Sequence, residues 1–151
     1  MKIKQIIKNI LIVLLPLLGG IIVSLLTDSK SYKVLNKPLL SPPSIVFPIA
    51  WTILYLLMGI SLLISVKENK ESDVIKSFVL QLIFNYLWPI LFFTLKMYTF
   101  SIVVLLILIV LVINMIINLY KSKKIAGILQ FPYFIWLLFA LYLNIGVAIL
   151  N

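Results

Sequence analysis

The sequence predicts an all-α fold, an integral membrane bundle of five transmembrane helices with a long structured loop between helices one and two. Three observations carry this. Hydrophobic residues fill 64% of 151 positions and charged residues only 11%, whereas roughly a quarter of a soluble domain is charged. The apolar residues gather into five runs, at 6–26, 45–66, 78–95, 99–119 and 125–150, each near the roughly 20 residues that cross a bilayer. A backbone in hydrocarbon must satisfy its own amides, which an isolated strand cannot do and a helix does. Residues 1–151 are expected to form a single domain.

Taken in order, the first run lacks a small-x-small cleavage pattern and is followed by four more, so it is expected to be a retained helix. The connector at 27–46 is the one long link. Pro38, Pro42, Pro43 and Pro48 hold φ near about −65° and stiffen it, while Tyr32, Val34, Leu35, Leu39 and Leu40 give it an apolar side. Two readings follow: a lid folded back on the bundle, or a surface loop resting among headgroups. The other links, at 67–77, 96–98 and 120–124, are short and make sequential helices antiparallel neighbours. Pro16, Pro89 and Pro132 fall inside spans one, three and five. Each is expected to bend its helix by freeing a carbonyl, of Ile12, Asn85 and Ile128 respectively. Gly19, Gly20 and Gly59 permit close helix approach. No internal repeat is visible, which argues against an inverted-repeat transporter.

The net charge of +9 is distributed for a membrane and not for nucleic acid. Lys2, Lys4, Lys8, Lys67, Lys70, Lys76, Lys121, Lys123 and Lys124 lie on one face, and Lys30, Lys33, Lys37 and Lys96 on the other. Positive-inside bias then places the N-terminus in the cytoplasm and the C-terminus outside the cell (inner) membrane. The chain has no Cys and no His. Disulfides, thiolate ligation of haem, zinc and His-based proton transfer are excluded, and no cofactor or metal is expected. No Asp or Glu lies within a span, so ordinary acid/base or nucleophilic catalysis has no candidate group.

Helical spacing sorts the remaining polar and aromatic residues onto faces. Span two carries Trp51, Tyr55 and Gly59, with Phe47 and Met58 beside them. Span three carries Gln81, Asn85, Trp88 and Phe92; span five carries Tyr133, Trp136, Ala140, Asn144 and Val147. These faces are expected to point inward, because an amide facing lipid is left unsatisfied. Trp88 lies eight residues before Lys96, roughly 12 Å by helical rise. The three indoles are therefore expected around one cavity in the outer half, beneath the connector. Such a site suits a large, flat, apolar ligand with polar handles at its edge. Blander readings stand beside this one: Trp51 as an interface-belt residue, Gln81 and Asn85 as bonds between helices. Asn114 and Asn118 read as structural contacts or headgroup contacts, and Tyr142 as an interface anchor.

Three stretches carry a resemblance. They are Tyr32-x-x-Leu35-x-Lys37-Pro38-x-x-x-Pro42-Pro43-x-x-x-Phe47-x-x-x-Trp51-Thr52-x-x-Tyr55-x-x-Met58-Gly59, then Gln81-Leu82-x-x-Asn85-x-x-Trp88-x-x-x-Phe92-Phe93, and Pro132-Tyr133-x-x-Trp136-x-x-x-Ala140-x-x-Leu143-Asn144. Together they resemble the tryptophan-rich sensory protein, or translocator protein (peripheral benzodiazepine receptor), family, in its bacterial form. The resemblance implies a five-helix bundle, often a homodimer, with a pocket in the outer half for porphyrins of the protoporphyrin IX type. With the inward faces above, ligand contacts are expected from Tyr32, Leu35, Pro42, Pro43, Phe47, Trp51, Tyr55, Gln81, Asn85, Trp88, Phe92, Tyr133, Trp136, Ala140, Leu143 and Asn144. Trp51 and Trp136 match positions linked to light- and oxygen-dependent porphyrin degradation, and Lys33 and Lys37 are candidates to pair with the propionates. The expected function is a porphyrin receptor or sensor, with a porphyrin exporter or transporter as the alternative. The chain departs from the family at Ser31, where a Trp is usual. It also lacks the Tyr and Arg of the animal sterol-recognition segment after Asn144, so sterol binding there is not expected. Span three lacks a small-x-x-x-small pattern, and the resemblance therefore places no dimer interface.

Overall fold

The computed structural model describes residues 1–67 and 71–151; Lys70, one of the cations assigned above to the N-terminal face, lies outside the described residues. The helices are α1 (Lys2–Leu26), α2 (Val46–Val66), α3 (Glu71–Pro89), α4 (Tyr98–Ser122), α5 (Lys124–Ile128) and α6 (Phe131–Leu150). No strand occurs among the described residues. Among the described residues, five helical stretches are long and apolar enough to cross a membrane, the last of them running through α5 and α6. α3 begins ahead of the expected span at 78. The segment before it is polar but helix-compatible, and it already turns Val74 and Ser77 inward. Hydropathy marks where lipid begins, not where the helix does.

The three prolines act differently from one another. α1 runs unbroken through Pro16, whose own carbonyl accepts a 2.7 Å hydrogen bond from the Tyr86 hydroxyl. At Pro89, α geometry ends and Ile90–Thr94 continues as one π turn. The Leu95 N–H donates to the Ile90 carbonyl at 3.0 Å and the Met97 N–H to the Leu91 carbonyl at 2.9 Å. Lys96, with φ of 54°, closes the element. Pro132 does not kink a continuous fifth helix, contrary to expectation. It occupies the first turn of α6, where its missing N–H would be unpaired anyway, and the chain breaks just before it at Leu129 and Gln130.

α1 packs on α2, α3 runs along α4, α4 along α6, and α5 tucks between α2 and α4. At the α1–α2 crossing a Cβ on Gly59 would lie 2.0 Å from the Val13 carbonyl oxygen, so that approach depends on glycine. α1 is peripheral, with Pro16 its one buried residue.

The connector is a strap held across one end of the bundle, which settles its two readings in favour of the lid. Ser29–Val34 forms a 3-10 turn that buries Tyr32 to 4% exposure. Ser31 Oγ donates to the Phe93 carbonyl at 3.0 Å, and the Asp28 N–H to Thr94 Oγ1 at 3.2 Å. These fix one end to the π turn. At the other end the Asn36 N–H donates to Asn151 Oδ1 at 3.1 Å, and Asn151 Nδ2 donates to the Asn36 carbonyl at 2.8 Å. The Tyr142 hydroxyl, expected as an interface anchor, donates to the Leu39 carbonyl. Pro38 lies where a Cβ on Gly146 would fall. The apolar side of the strap is narrower than expected. Tyr32 and Leu35 pack on the core, while Val34, Leu39 and Leu40 point outward.

Candidate functional site: an aromatic chamber beneath the strap

Two hydrogen-bonded clusters fix the polar residues of spans two, three and five inside the bundle. In the first, the Tyr55 hydroxyl donates to Asn85 Oδ1 at 2.6 Å, and Asn85 Nδ2 donates to the Tyr133 hydroxyl at 2.7 Å. Tyr133 in turn donates to Gln81 Oε1 at 2.8 Å, and Gln81 Nε2 approaches Met58 Sδ at 3.9 Å. In the second, nearer the strap, Trp88 Nε1 donates to Asn144 Oδ1 at 2.9 Å and Ser101 Oγ to the same oxygen at 3.0 Å. Asn144 Nδ2 donates to the Tyr98 carbonyl at 3.0 Å. Gln81, Asn85, Tyr133 and Asn144 are all at or below 1% exposure. Each amide is satisfied by neighbours on other helices, as a low-dielectric interior requires.

Beside these clusters lies a cavity of about 440 Å³ walled by α1, α2, α3 and the strap. Trp51, Tyr55, Phe47, Trp88 and Tyr32 supply aromatic surface, and Asn85 reaches its inner end. Lys30 and Lys33 stand at its strap side with Ser24, Thr27, Ser29 and Ser44. Neither ammonium has an acidic partner among the described residues. The arrangement is a flat-sided apolar slot with cations and hydroxyls at one end.

The expected site residues divide into three groups. Tyr32, Lys33, Phe47, Trp51, Tyr55, Asn85 and Trp88 line the cavity. Phe92, Trp136, Ala140 and Leu143 do not. They line a void of about 10 Å³ behind it, walled off by Tyr32, Phe47, Trp51 and Trp88. The expectation that three indoles surround one chamber is therefore corrected to two, with Trp136 set edge-on behind Trp51, ring centres 6.4 Å apart at 86°. Gln81, Tyr133 and Asn144 serve the helix-bonding clusters, and Leu35, Pro42 and Pro43 belong to the strap away from the cavity wall. Lys37 is also displaced. Its ammonium lies 4.9 Å from the centre of the Tyr32 ring and donates to the Lys33 carbonyl at 3.4 Å, so it steadies the strap.

Sequence reasoning missed the α1 wall and Lys30. The signal was present: Gly20, Ser24 and Thr27 recur at i, i+4 and i+7 on the last two turns of the first span. Two donors near the cavity are unspent. The Tyr32 hydroxyl and Trp136 Nε1 are buried without a partner. Burial also raises the Tyr32 phenol above its ordinary pKa, so it stays a neutral donor.

Comparison with known proteins agrees with this architecture. Residues 12–150 match the TspO/MBR family. The chain is 36% identical to the tryptophan-rich protein TspO of Archaeoglobus fulgidus over 153 aligned positions, covering 100% of this chain and 99% of that one. It is 33% identical to the tryptophan-rich sensory protein of Cereibacter sphaeroides, covering 85% of this chain and 81% of the relative. It is 32% identical to protein CrtK of Rhodobacter capsulatus, covering 80% and 78% respectively. A strap-capped helical bundle, a tryptophan-lined interior and matches over nearly the whole length converge: this chain is a multi-pass membrane protein of the TspO/MBR family.

Proposed function

We propose that this protein is a receptor for porphyrins of the protoporphyrin IX type and similar flat apolar molecules. The observation that carries the reading is an aromatic chamber of about 440 Å³ ending in two unpaired cations. A planar macrocycle stacks on Trp51 and Tyr55, whose rings lie 5.4 Å apart at 30°, and its apolar area leaves water. Carboxylates on its edge meet Lys30 and Lys33, replacing Lys33 and Lys37 as the anchoring pair. The strap covers the ligand, and the sensory name carried by a relative agrees with a binding role. The strap faces the outside of the cell membrane and the lysine-rich end the cytoplasm, following the charge bias.

The test is a titration of protoporphyrin IX into purified protein, read by porphyrin absorbance. Ser24→Trp, which fills the chamber, should abolish saturable binding. Lys30→Gln with Lys33→Gln should weaken it about tenfold, the effect of losing about 1.4 kcal/mol, while leaving the dimethyl ester unaffected. Unchanged affinity in both variants would refute the site. Photochemistry follows the same geometry: Trp51 touches the ligand and Trp136 lies behind it, positioned to exchange an electron with a photoexcited porphyrin while oxygen completes degradation. Trp51→Phe with Trp136→Phe should bind porphyrin but lose its light-dependent bleaching; equal bleaching would exclude the indoles. Export is the competing reading. Porphyrin flux across proteoliposomes carrying the protein would favour it over a receptor.

A further inference from the structure

Between Asn36 and Phe47 the strap leaves the end of the bundle and descends along α6. Asn36 is bonded to Asn151 at the outer end of that helix. Pro38 packs on Gly146, where a Cβ would lie 2.4 Å from the proline ring. The Leu39 carbonyl accepts from the Tyr142 hydroxyl, and Phe47 meets Trp136 with ring centres 6.0 Å apart. Tyr142 stands nine residues before Asn151, roughly 13 Å down the helix axis. A second marker of depth agrees. Asn144 is bonded to the Tyr98 carbonyl and the Ser101 hydroxyl, and Tyr98 follows Lys96, the cation at the outer end of α4, by two residues. Tyr142 lies further in than Asn144, so the turn it holds sits below the level of Lys96.

Irregular backbone at that depth must find partners for its polar groups, since acyl chains offer none. Pro38, Pro42 and Pro43 have no N–H to satisfy. The Pro38 carbonyl accepts from Ser41 Oγ at 2.7 Å, and the Pro43 carbonyl from the Val46 N–H at 3.0 Å. Charge is absent as well. No Asp, Glu, Lys or Arg occurs from 38 to 66, although α2 begins only at Val46. Lys37, the last cation before the turn, sends its ammonium back to the Lys33 carbonyl. At the tip, Leu39 and Leu40 are 86% and 83% exposed. Leu40 holds φ at 69°, a left-handed conformation that favours glycine. A leucine kept there in water would combine backbone strain with bare hydrocarbon. Against acyl chains the same side chain is buried, which offsets the strain.

We infer that residues 38–41 form a re-entrant turn seated in the outer leaflet, where Leu39 and Leu40 anchor the strap to acyl chains. This goes beyond the porphyrin reading and does not rest on it. The chain has no cysteine, so a nitroxide can be attached at one introduced thiol at a time. In liposomes its collisions are measured with oxygen, which concentrates among acyl chains, and with a water-soluble nickel chelate. A label on Leu40→Cys should match one on Ile53→Cys, an exposed position on α2, with oxygen access exceeding nickel access several-fold. A label on Val34→Cys, in the 3-10 turn between Lys33 and Lys37, should show the reverse. Nickel access at position 40 equal to that at 34 would put the turn in water and overturn the inference. Low access to both reagents would mean that protein covers the turn, and would overturn it too. Leu39→Gln with Leu40→Gln alters two exposed side chains and should raise amide hydrogen exchange across 36–45 several-fold in liposomes. Unchanged exchange in that variant would refute the anchoring.

Discussion

Asn85 is the residue on which the interior turns. Its oxygen accepts from Tyr55 and its nitrogen donates to Tyr133, so one amide ties α2, α3 and α6 together. Asn85→Leu leaves the buried Tyr55 hydroxyl without its acceptor and takes one donor from Tyr133, which keeps its bond to Gln81; a lost partner of this kind costs about 1–3 kcal/mol. A clear drop in thermal midpoint in detergent is expected, whereas Trp88→Phe should cost less, because Ser101 still satisfies Asn144. Melting curves of the two variants check the order. At this scale the sequence was informative about side and silent about partner. Spacing of four and seven residues was enough to turn Gln81, Asn85 and Trp88 inward. It could not say that the Trp88 N–H is spent on Asn144 while that of Trp136 is left over. Nor could it place Trp136 behind Trp51, since periodicity fixes a face on one helix and not the rotation of its neighbour.

Among the elements, the strap and the α1–α2 crossing position the chamber, and each has a distinct weak point. The crossing depends on Gly59. Gly59→Leu must separate α1 from α2, removing one chamber wall, and should lower stability and porphyrin affinity together. The strap is fixed by a few polar contacts on its α6 side. Tyr142→Phe with Asn151→Ala should speed amide hydrogen exchange across residues 29–45 while the bundle's melting temperature barely moves; unchanged exchange would show that the strap is held by its apolar contacts alone. The four prolines made a stiff connector legible from sequence, and the five spans were legible from hydropathy. Two features were not. The π turn after Pro89 and the break before Pro132 arise from how each chain segment docks, and a proline in a span reads the same whether it bends, widens or starts a helix.

At the scale of the whole molecule, charge and cavity share a common axis. Lys30, Lys33, Lys37 and Lys96 belong to the strap end, and the other described lysines to the opposite end. A cysteine-free chain allows a direct check: Val34→Cys should react with an impermeant thiol reagent applied to intact cells, and Ser122→Cys should not. The reverse pattern would invert the proposed topology without disturbing the chamber. The family and five-span architecture were readable from motif spacing and composition. The chamber's α1 wall was not, because α1 contributes through glycine and small hydroxyl residues that look like ordinary helix packing.

The decisive fact is where a flat dicarboxylate ring comes to rest. A structure of the protein with protoporphyrin IX bound in a lipid environment would establish it. The macrocycle should lie against Trp51 and Tyr55 under the strap, its carboxylates within ion-pairing distance of Lys30 and Lys33. Porphyrin density on the outer, acyl-facing surface with the chamber closed would contradict that assignment.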